Sequence, residues 1–191
     1  MHDGETKSLC GIDEAGRGPL AGPLVVAGVV LTDPIEGLTD SKQLSEKRRE
    51  ALFETITAQA RWHVVSIDAP TIDAKGLSAC LITALKEIMR TLEADDYLFD
   101  GHTTFGIPNL RCRIKADLHI PAVGAASIVA KVTRDRMMKA LAKEYPGYGF
   151  ERHKGYGTKA HIEAIERLGY TPIHRTSFKV KSLTQPTLFD P

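Results

Sequence analysis

Cysteine is scarce in this chain. Cys10, Cys80 and Cys112 are its three cysteines, odd in number, widely spaced and without a C-x-x-C pair. That excludes a disulfide framework and a cysteine-based zinc knuckle. It fits small buried thiols in a reducing compartment, so a cytoplasmic location is expected. Long apolar runs are missing too. The longest, around Leu24 to Leu31, is too short to cross a bilayer, and no membrane association is expected. The opening MHDGETKS has no apolar core of the signal-peptide kind. No G-x-S-x-G elbow supports a serine hydrolase. His153 and His161 stand eight apart with no cysteine nearby, which is no zinc pattern. Internal repeats and low-complexity blocks are absent.

What is present fits one α/β domain with an appendage. The 191 residues are 42% hydrophobic and 26% charged, enough for a sizeable core. The net charge of +1 hides an asymmetry: residues 1–110 hold 10 Lys and Arg against 17 Asp and Glu, and residues 111–181 hold 15 against 6. The basic second half suits a polyanion such as nucleic acid, or is simply a set of solvated helix faces.

Alternation and helical spacing set out the elements. Ser8–Glu14 and Pro23–Leu31 read as paired strands and Arg61–Asp68 as a third. Tyr97–Asp100 and Leu110–Lys115 complete five. Helices are predicted over Ser45–Ala60, with Ser45 as N-cap, and over Gly76–Leu92, Gly124–Lys143 and Thr158–Leu168. Hairpin-joined strands run antiparallel and helix-joined ones parallel, so the sheet is mixed. The expected division is a catalytic core over 1–143, a C-terminal helical and loop appendage over 144–181, and a tail over 182–191.

GIDEAGRGPLAGPLVVAGVVL, residues 11–31, sets Asp13 and Glu14 directly before a glycine-rich turn. Gly16, Gly18 and Ala21 fit a relaxed dinucleotide fingerprint. That fingerprint needs a helix after the turn, and here a β-branched run follows, so the order is strand, turn, strand. A cation is the better reason for the acids. Asp13 and Glu14 follow the first strand, Asp100 precedes Gly101, and Asp117 follows the fifth strand. Four carboxylates gathered beyond strand ends would repel one another unless Mg2+ or Mn2+ neutralised them. Two such ions roughly 3.5–4 Å apart suit phosphodiester hydrolysis. Neighbouring strand residues face opposite ways, so Asp13 and Glu14 can serve one site only if the strand ends or twists near Gly16.

These residues resemble bacterial ribonuclease HII. The resemblance rests on GIDEAGRGPLAGP (11–23), DSKQLS (40–45), Phe99-Asp100-Gly101, KADLHIPAVGAASIVAKVTRDRMM (115–138), YPGYGFERHKGYGT (145–158) and GYTPIHRTSF (169–178), in order along nearly the whole chain. It implies a ribonuclease H-like fold and Asp13, Glu14, Asp100 and Asp117 as metal-binding catalytic acids. It also implies Gly16-Arg17-Gly18 as a ribose-sensing turn, Tyr156 at the RNA–DNA junction and Lys42 on a phosphate. Arg17 either contacts a phosphate or braces the turn; Tyr156 read alone is better explained as a packed turn residue. The implied substrates are RNA–DNA hybrids and DNA duplexes with embedded ribonucleotides. The expected cut is 5′ of the ribonucleotide, leaving 3′-hydroxyl and 5′-phosphate ends, by a monomer. The rival readings are a structure-selective DNA nuclease of the same fold and a non-catalytic nucleic-acid-binding module. In the tail, Gln185-Pro186-Thr187-Leu188-Phe189 resembles the short Q-x-x-L-F peptides that dock on sliding clamps; the alternative is that Leu188 and Phe189 pack back on the domain.

Overall fold

The computed structural model describes residues 7–38 and 44–179. Lys42 and the tail from Gln185 to Phe189 lie outside the described residues.

Five strands form one sheet: β1 (Leu9–Ala15), β2 (Leu24–Val30), β3 (Arg61–Ile67), β4 (Asp96–Asp100) and β5 (Leu110–Arg113), in the order β3-β2-β1-β4-β5. β1 pairs antiparallel with β2, and β2 with β3, while β1–β4 and β4–β5 are parallel. The sheet is mixed as expected, but the connection rule fails at two pairs: β2 and β3 are antiparallel although α1 joins them, and β4 and β5 are parallel although only a loop does. The helices are α1 (Glu46–Gln59), α2 (Ala69–Lys75), α3 (Leu77–Thr91), α4 (Pro121–Glu144), α5 (Phe150–His153) and α6 (Lys159–Leu168), with a 3-10 turn at Ala116–Leu118.

All seven residues of β2 are buried, because both faces of the sheet are covered. Leu24, Val26 and Val30 pack with Leu81, Leu85 and Ile88 of α3; Val25, Ala27 and Val29 pack with Leu52 and Ile56 of α1 and with Ile128 and Val129 of α4. α4 approaches β1 closely. A Cβ on Gly11 would lie 2.2 Å from the Ala122 carbonyl carbon, so only glycine admits the helix there. Gly124 of the same helix serves a different approach: a Cβ there would lie 2.2 Å from the Leu38 carbonyl oxygen and 3.0 Å from that of Asp117.

A third cluster holds the C-terminal segment to the rest. Tyr148 stacks on Phe150 at 5.2 Å between centroids, beside Ala21, Met138 and Ile165. Its backbone also grips the loop after β1: Leu20 N–H donates to Gly155 C=O (2.8 Å) and Gly22 N–H to Ile173 C=O (2.8 Å).

Three local differences from the sequence reading have physical causes. α4 starts at Pro121 rather than Gly124, because proline suits the first helical turn, where its missing N–H is not needed. α2 follows β3 at once, capped by Asp68, whose Oδ1 accepts from Thr71 N–H at 2.9 Å. β5 ends at Arg113, and Asp117 sits in the 3-10 turn rather than just off a strand. Ser45 caps α1 as expected, its hydroxyl accepting from Arg48 N–H.

Candidate active site

β1 and β4 are parallel neighbours, so their C-terminal ends open on the same edge of the sheet. Asp13 sits near the end of β1 and Asp100 is the last residue of β4. The 3-10 turn then carries Asp117 under that edge, fully buried. One carboxylate oxygen from each of Asp13, Asp100 and Asp117 lies within 4.8 Å of the others. Glu14 is not in that group of three. It stands beside it, near enough that the Asp100 charge acts on it. Pleating separates Asp13 from Glu14, and β1 stays in register with β2 through both.

The local chain aims these carboxylates. Glu14 N–H donates to Asp13 Oδ1 (2.7 Å). Lys115 N–H donates to Asp100 Oδ1 (2.9 Å) and Asp117 N–H to its Oδ2 (3.4 Å), with Lys115 left-handed at φ 57° to make the turn. Burial drives the Asp13 pKa well above the ordinary carboxylate range, and the charges of Glu14 and Asp100 push it further. Asp100 is raised by burial and by its hydrogen bond to Asp117. Glu14 is raised by burial against the opposing pull of Arg17, whose Nη1 lies 3.3 Å from Oε1. Glu14 Oε2 is buried and accepts no hydrogen bond among the described residues. An all-oxygen set of mutually repelling, desolvated carboxylates with a buried oxygen to spare fits a hard divalent cation.

A cleft of about 350 Å3 adjoins the acids, lined by Glu14, Gly16, Arg17, Gly18 and Tyr156, with Arg49 and Lys131 on its basic side. The expected turn and tyrosine are therefore brought to one cavity with Glu14. Gly16 is left-handed at φ 93°, whereas Gly18 is not. The Tyr156 ring is 46% exposed. Its backbone is held by a relay. His161 Nδ1–H donates to Tyr156 C=O (2.9 Å), which leaves Nε2 as an acceptor. His174 Nδ1 accepts from Thr171 N–H (2.9 Å), so His174 Nε2–H donates to His161 Nε2 (3.1 Å). His153 stacks on His161 at 4.5 Å. Burial pushes His174 down to about 4, aided by the neighbouring His161, and lowers His161 as well.

Two buried arginines escaped the sequence reading. Arg134 of α4 donates to Pro23 C=O (2.9 Å) and Ala21 C=O (3.1 Å), and its Cζ is 5.8 Å from the centre of the Tyr156 ring. Arg175 holds the same loop from the other side. Burial lowers the pKa of both, Arg175 to about 10, which leaves Arg175 charged at neutral pH. Their partners are backbone carbonyls, which leave no trace in sequence.

This fold recurs in solved ribonucleases. A ribonuclease HII from Archaeoglobus fulgidus, solved as a complex with PCNA, is 30% identical at a TM-score of 0.80, with 95% of this chain and 98% of that one covered. The ribonuclease H2 of Pyrococcus horikoshii OT3 is 28% identical at 0.74, covering 90% and 94%. Fold and site thus define a ribonuclease H-type endonuclease, a class that works with divalent metal on nucleic acid. Residues 10–181 match the ribonuclease HII family profile, and the ribonuclease HII of Sulfurovum sp. (strain NBC37-1) is 59% identical over 185 residues, 97% of this chain and 98% of that protein. The chain belongs to the ribonuclease HII family. Among the described residues no helix is long and apolar enough to cross a membrane.

Proposed function

We propose that this chain hydrolyses the phosphodiester on the 5′ side of a ribonucleotide embedded in duplex DNA or in an RNA–DNA hybrid, leaving 3′-hydroxyl and 5′-phosphate ends. The observation that carries the reading is the convergence of Asp13, Asp100 and Asp117 within 4.8 Å beside a cleft walled by Glu14, the glycine turn and Tyr156. Asp13, Glu14, Asp100 and Asp117 would hold two ions, Mg2+ or Mn2+. Bound there, the ions supply an activated water and neutralise charge on the leaving oxygen.

The chain's own groups supply the rest. The N–H groups of Lys115 and Asp117 fix the Asp100 carboxylate, so it does not reorient as charge accumulates. The Gly16-Arg17-Gly18 backbone reaches the ribose, where the 2′-hydroxyl is what tells RNA from DNA. Tyr156 lays its exposed ring against the sugar at the junction. Arg17, tied to Glu14, braces the turn. Arg49 and Lys131 lie where a phosphate backbone would run, and Lys42 adds a further phosphate contact. In this reading 1–143 forms the catalytic core, 144–181 carries substrate contacts, and the chain acts as a monomer in the cytoplasm. Its unpaired cysteines suit that compartment. The Gln185-to-Phe189 segment would recruit the enzyme to a sliding clamp, a role supported by the Archaeoglobus relative's complex with PCNA.

The metal site is tested by Asp100→Asn, which keeps the side chain's shape and one accepting oxygen but removes the charge and the second acceptor. Cleavage at saturating Mg2+ should fall by at least about 10–100-fold, with duplex affinity retained. Turnover equal to the parent chain would remove Asp100 from the site. The clamp role is tested by titrating a bacterial sliding clamp with the full chain and with Leu188→Ala plus Phe189→Ala. Binding by the first alone supports recruitment, and no binding by the full chain at tens of micromolar ends it.

A further inference from the structure

Arg175 is 1% exposed, and every hydrogen bond its guanidinium donates goes to one loop, while its Cζ lies 5.1 Å from the centre of the Phe178 ring. Nη2 donates to Gly16 C=O (2.6 Å) and to Gly22 C=O (2.8 Å), Nε to Gly22 C=O (3.0 Å), and Nη1 to Arg17 C=O (3.2 Å). Among the described residues no carboxylate lies within ion-pairing distance of it. A buried charge hydrogen-bonded only to carbonyl dipoles, with the Phe178 ring and the more distant Asp73 charge as its further support, is costly to maintain.

The geometry it imposes concerns the other side of each peptide. In a trans peptide the C=O of one residue and the N–H of the next point in opposite directions. The described chain has no cis peptide bond. Gly16 C=O shares its peptide with Arg17 N–H, and Arg17 C=O shares its peptide with Gly18 N–H. Pulling both carbonyls inward onto Arg175 turns both N–H groups away from it, toward the cleft that Gly16, Arg17 and Gly18 line. Neither N–H donates to any acceptor among the described residues. Gly22 differs, because the residue after it is Pro23, which has no N–H to aim. The two Gly22 bonds therefore act as anchor, and the Gly16 and Arg17 bonds as orientation.

We propose that Arg175 is the positioning residue for ribonucleotide recognition: by pinning the Gly16 and Arg17 carbonyls inward it presents the Arg17 and Gly18 N–H groups to the ligand. This rests on the proposed reading of the turn as the ribose sensor. The turn then meets the ribose as a pair of donors, and the 2′-hydroxyl oxygen is recognised as an acceptor. With the peptides free to rotate, a carbonyl would face the cleft part of the time, and discrimination would fall. The guanidinium donates from three separate nitrogens in a fixed plane, a spread that an ammonium, with all its donors on one atom, does not reproduce.

The test compares the full chain with Arg175→Lys, in Ca2+ to prevent cleavage, on a duplex with one embedded ribonucleotide and on its all-DNA twin. The ratio of the two affinities should drop by about fivefold to tenfold in the variant, the size of one lost hydrogen bond, while affinity for the all-DNA twin stays within about twofold. KM for the ribonucleotide substrate in Mg2+ should rise in parallel. A folded variant that keeps the parent ratio overturns the role of Arg175 and leaves the sensor reading intact. A parent chain that binds both duplexes equally overturns the sensor reading itself. If Arg175→Lys does not fold, the decision passes to the backbone amide resonances of Arg17 and Gly18 in the parent chain. They should shift more with the ribonucleotide duplex than with its twin; equal shifts, or none, overturn the inference.

Discussion

Gly16 and Gly18 sit two apart in one turn, and the same substitution at each should do opposite things. Gly16 is left-handed, and a Cβ there would lie 2.2 Å from Arg134 Nε and 2.5 Å from Pro23 C=O. The arginine cannot swing aside cheaply, because that same Nε holds Pro23 C=O. Backbone strain of roughly 1–2 kcal/mol then adds to a displaced buried hydrogen bond of about 1 kcal/mol. Gly16→Ala should therefore lose at least about 2 kcal/mol, a fall in Tm of about 4–8 °C for a chain of this size. At Gly18 a Cβ would meet nothing within 4 Å, and its φ is outside the left-handed range. Gly18→Ala should melt within about 2 °C of the parent chain, since unstrained surface changes stay within about 0.5 kcal/mol. Its methyl group would instead occupy the space a ribose needs. Losing one such contact costs about 0.5–1.5 kcal/mol, roughly twofold to tenfold in affinity for the ribonucleotide duplex. Thermal unfolding and paired titrations with the ribonucleotide and all-DNA duplexes read both effects. A Gly18→Ala chain that melts like Gly16→Ala would refute the turn geometry. Equal losses of affinity on both duplexes would refute the sensing role.

Other expectations use the same chain. Tyr156→Phe should cleave nearly as well as the parent and Tyr156→Ala much less, if the ring packs on the sugar; a severe Phe variant would move the role to the hydroxyl, and two normal variants would return Tyr156 to packing. The raised pKa values of Asp13, Glu14 and Asp100 mean that the folded chain binds protons more tightly than the unfolded one, so without metal these groups contribute stability at low pH that is lost as pH rises above the ordinary carboxylate range. Mg2+ at about 100 times its Kd should restore about 2.7 kcal/mol at neutral pH, or about 5–10 °C in Tm, and less in acid; a metal effect independent of pH would contradict the cluster. His174 has the opposite sign. Its folded pKa of about 4 lies below the ordinary histidine value of 6.5, so its contribution is full above 6.5 and is lost as pH falls toward 4, by roughly 3 kcal/mol. Chemical denaturation across that range should show a flatter profile in His174→Gln than in the parent. Duplex affinity should fall steeply with salt, because the 15 Lys and Arg of residues 111–181 displace counterions, and a flat profile would make them mere surface solvation.

That Asp13, Asp100 and Asp117 would gather was legible because strand ends can be read from alternation. Asp13, Asp100 and Asp117 all stand where a strand or its connection stops, and a parallel β1–β4 pair carries two of them to one edge. The sequence did not show that Glu14 stands outside the group of three, since that depends on β1 keeping its pleat as far as Ala15. α2 was not expected; it is a seven-residue helix, too short for helical spacing to stand out, with Pro70 in its first turn. His153 and His161 make a poor zinc pair in sequence, and in the structure they belong to a hydrogen-bonded stack that no spacing rule describes, because His174 comes from a distant loop. Arg134 and Arg175 were invisible for a more basic reason. Each is satisfied by main-chain oxygens far away in the chain, and those oxygens have no residue identity.

The central claim is that the acidic edge cuts where the turn finds a ribose. A duplex with one embedded ribonucleotide and its all-DNA twin, each end-labelled and incubated with the chain in Mg2+ and separately in Mn2+, tests it most directly. The account predicts one product from the first duplex, cut immediately 5′ of the ribonucleotide with a 3′-hydroxyl end, and none from the twin. Cleavage of both duplexes alike, or a cut at another position, would contradict it.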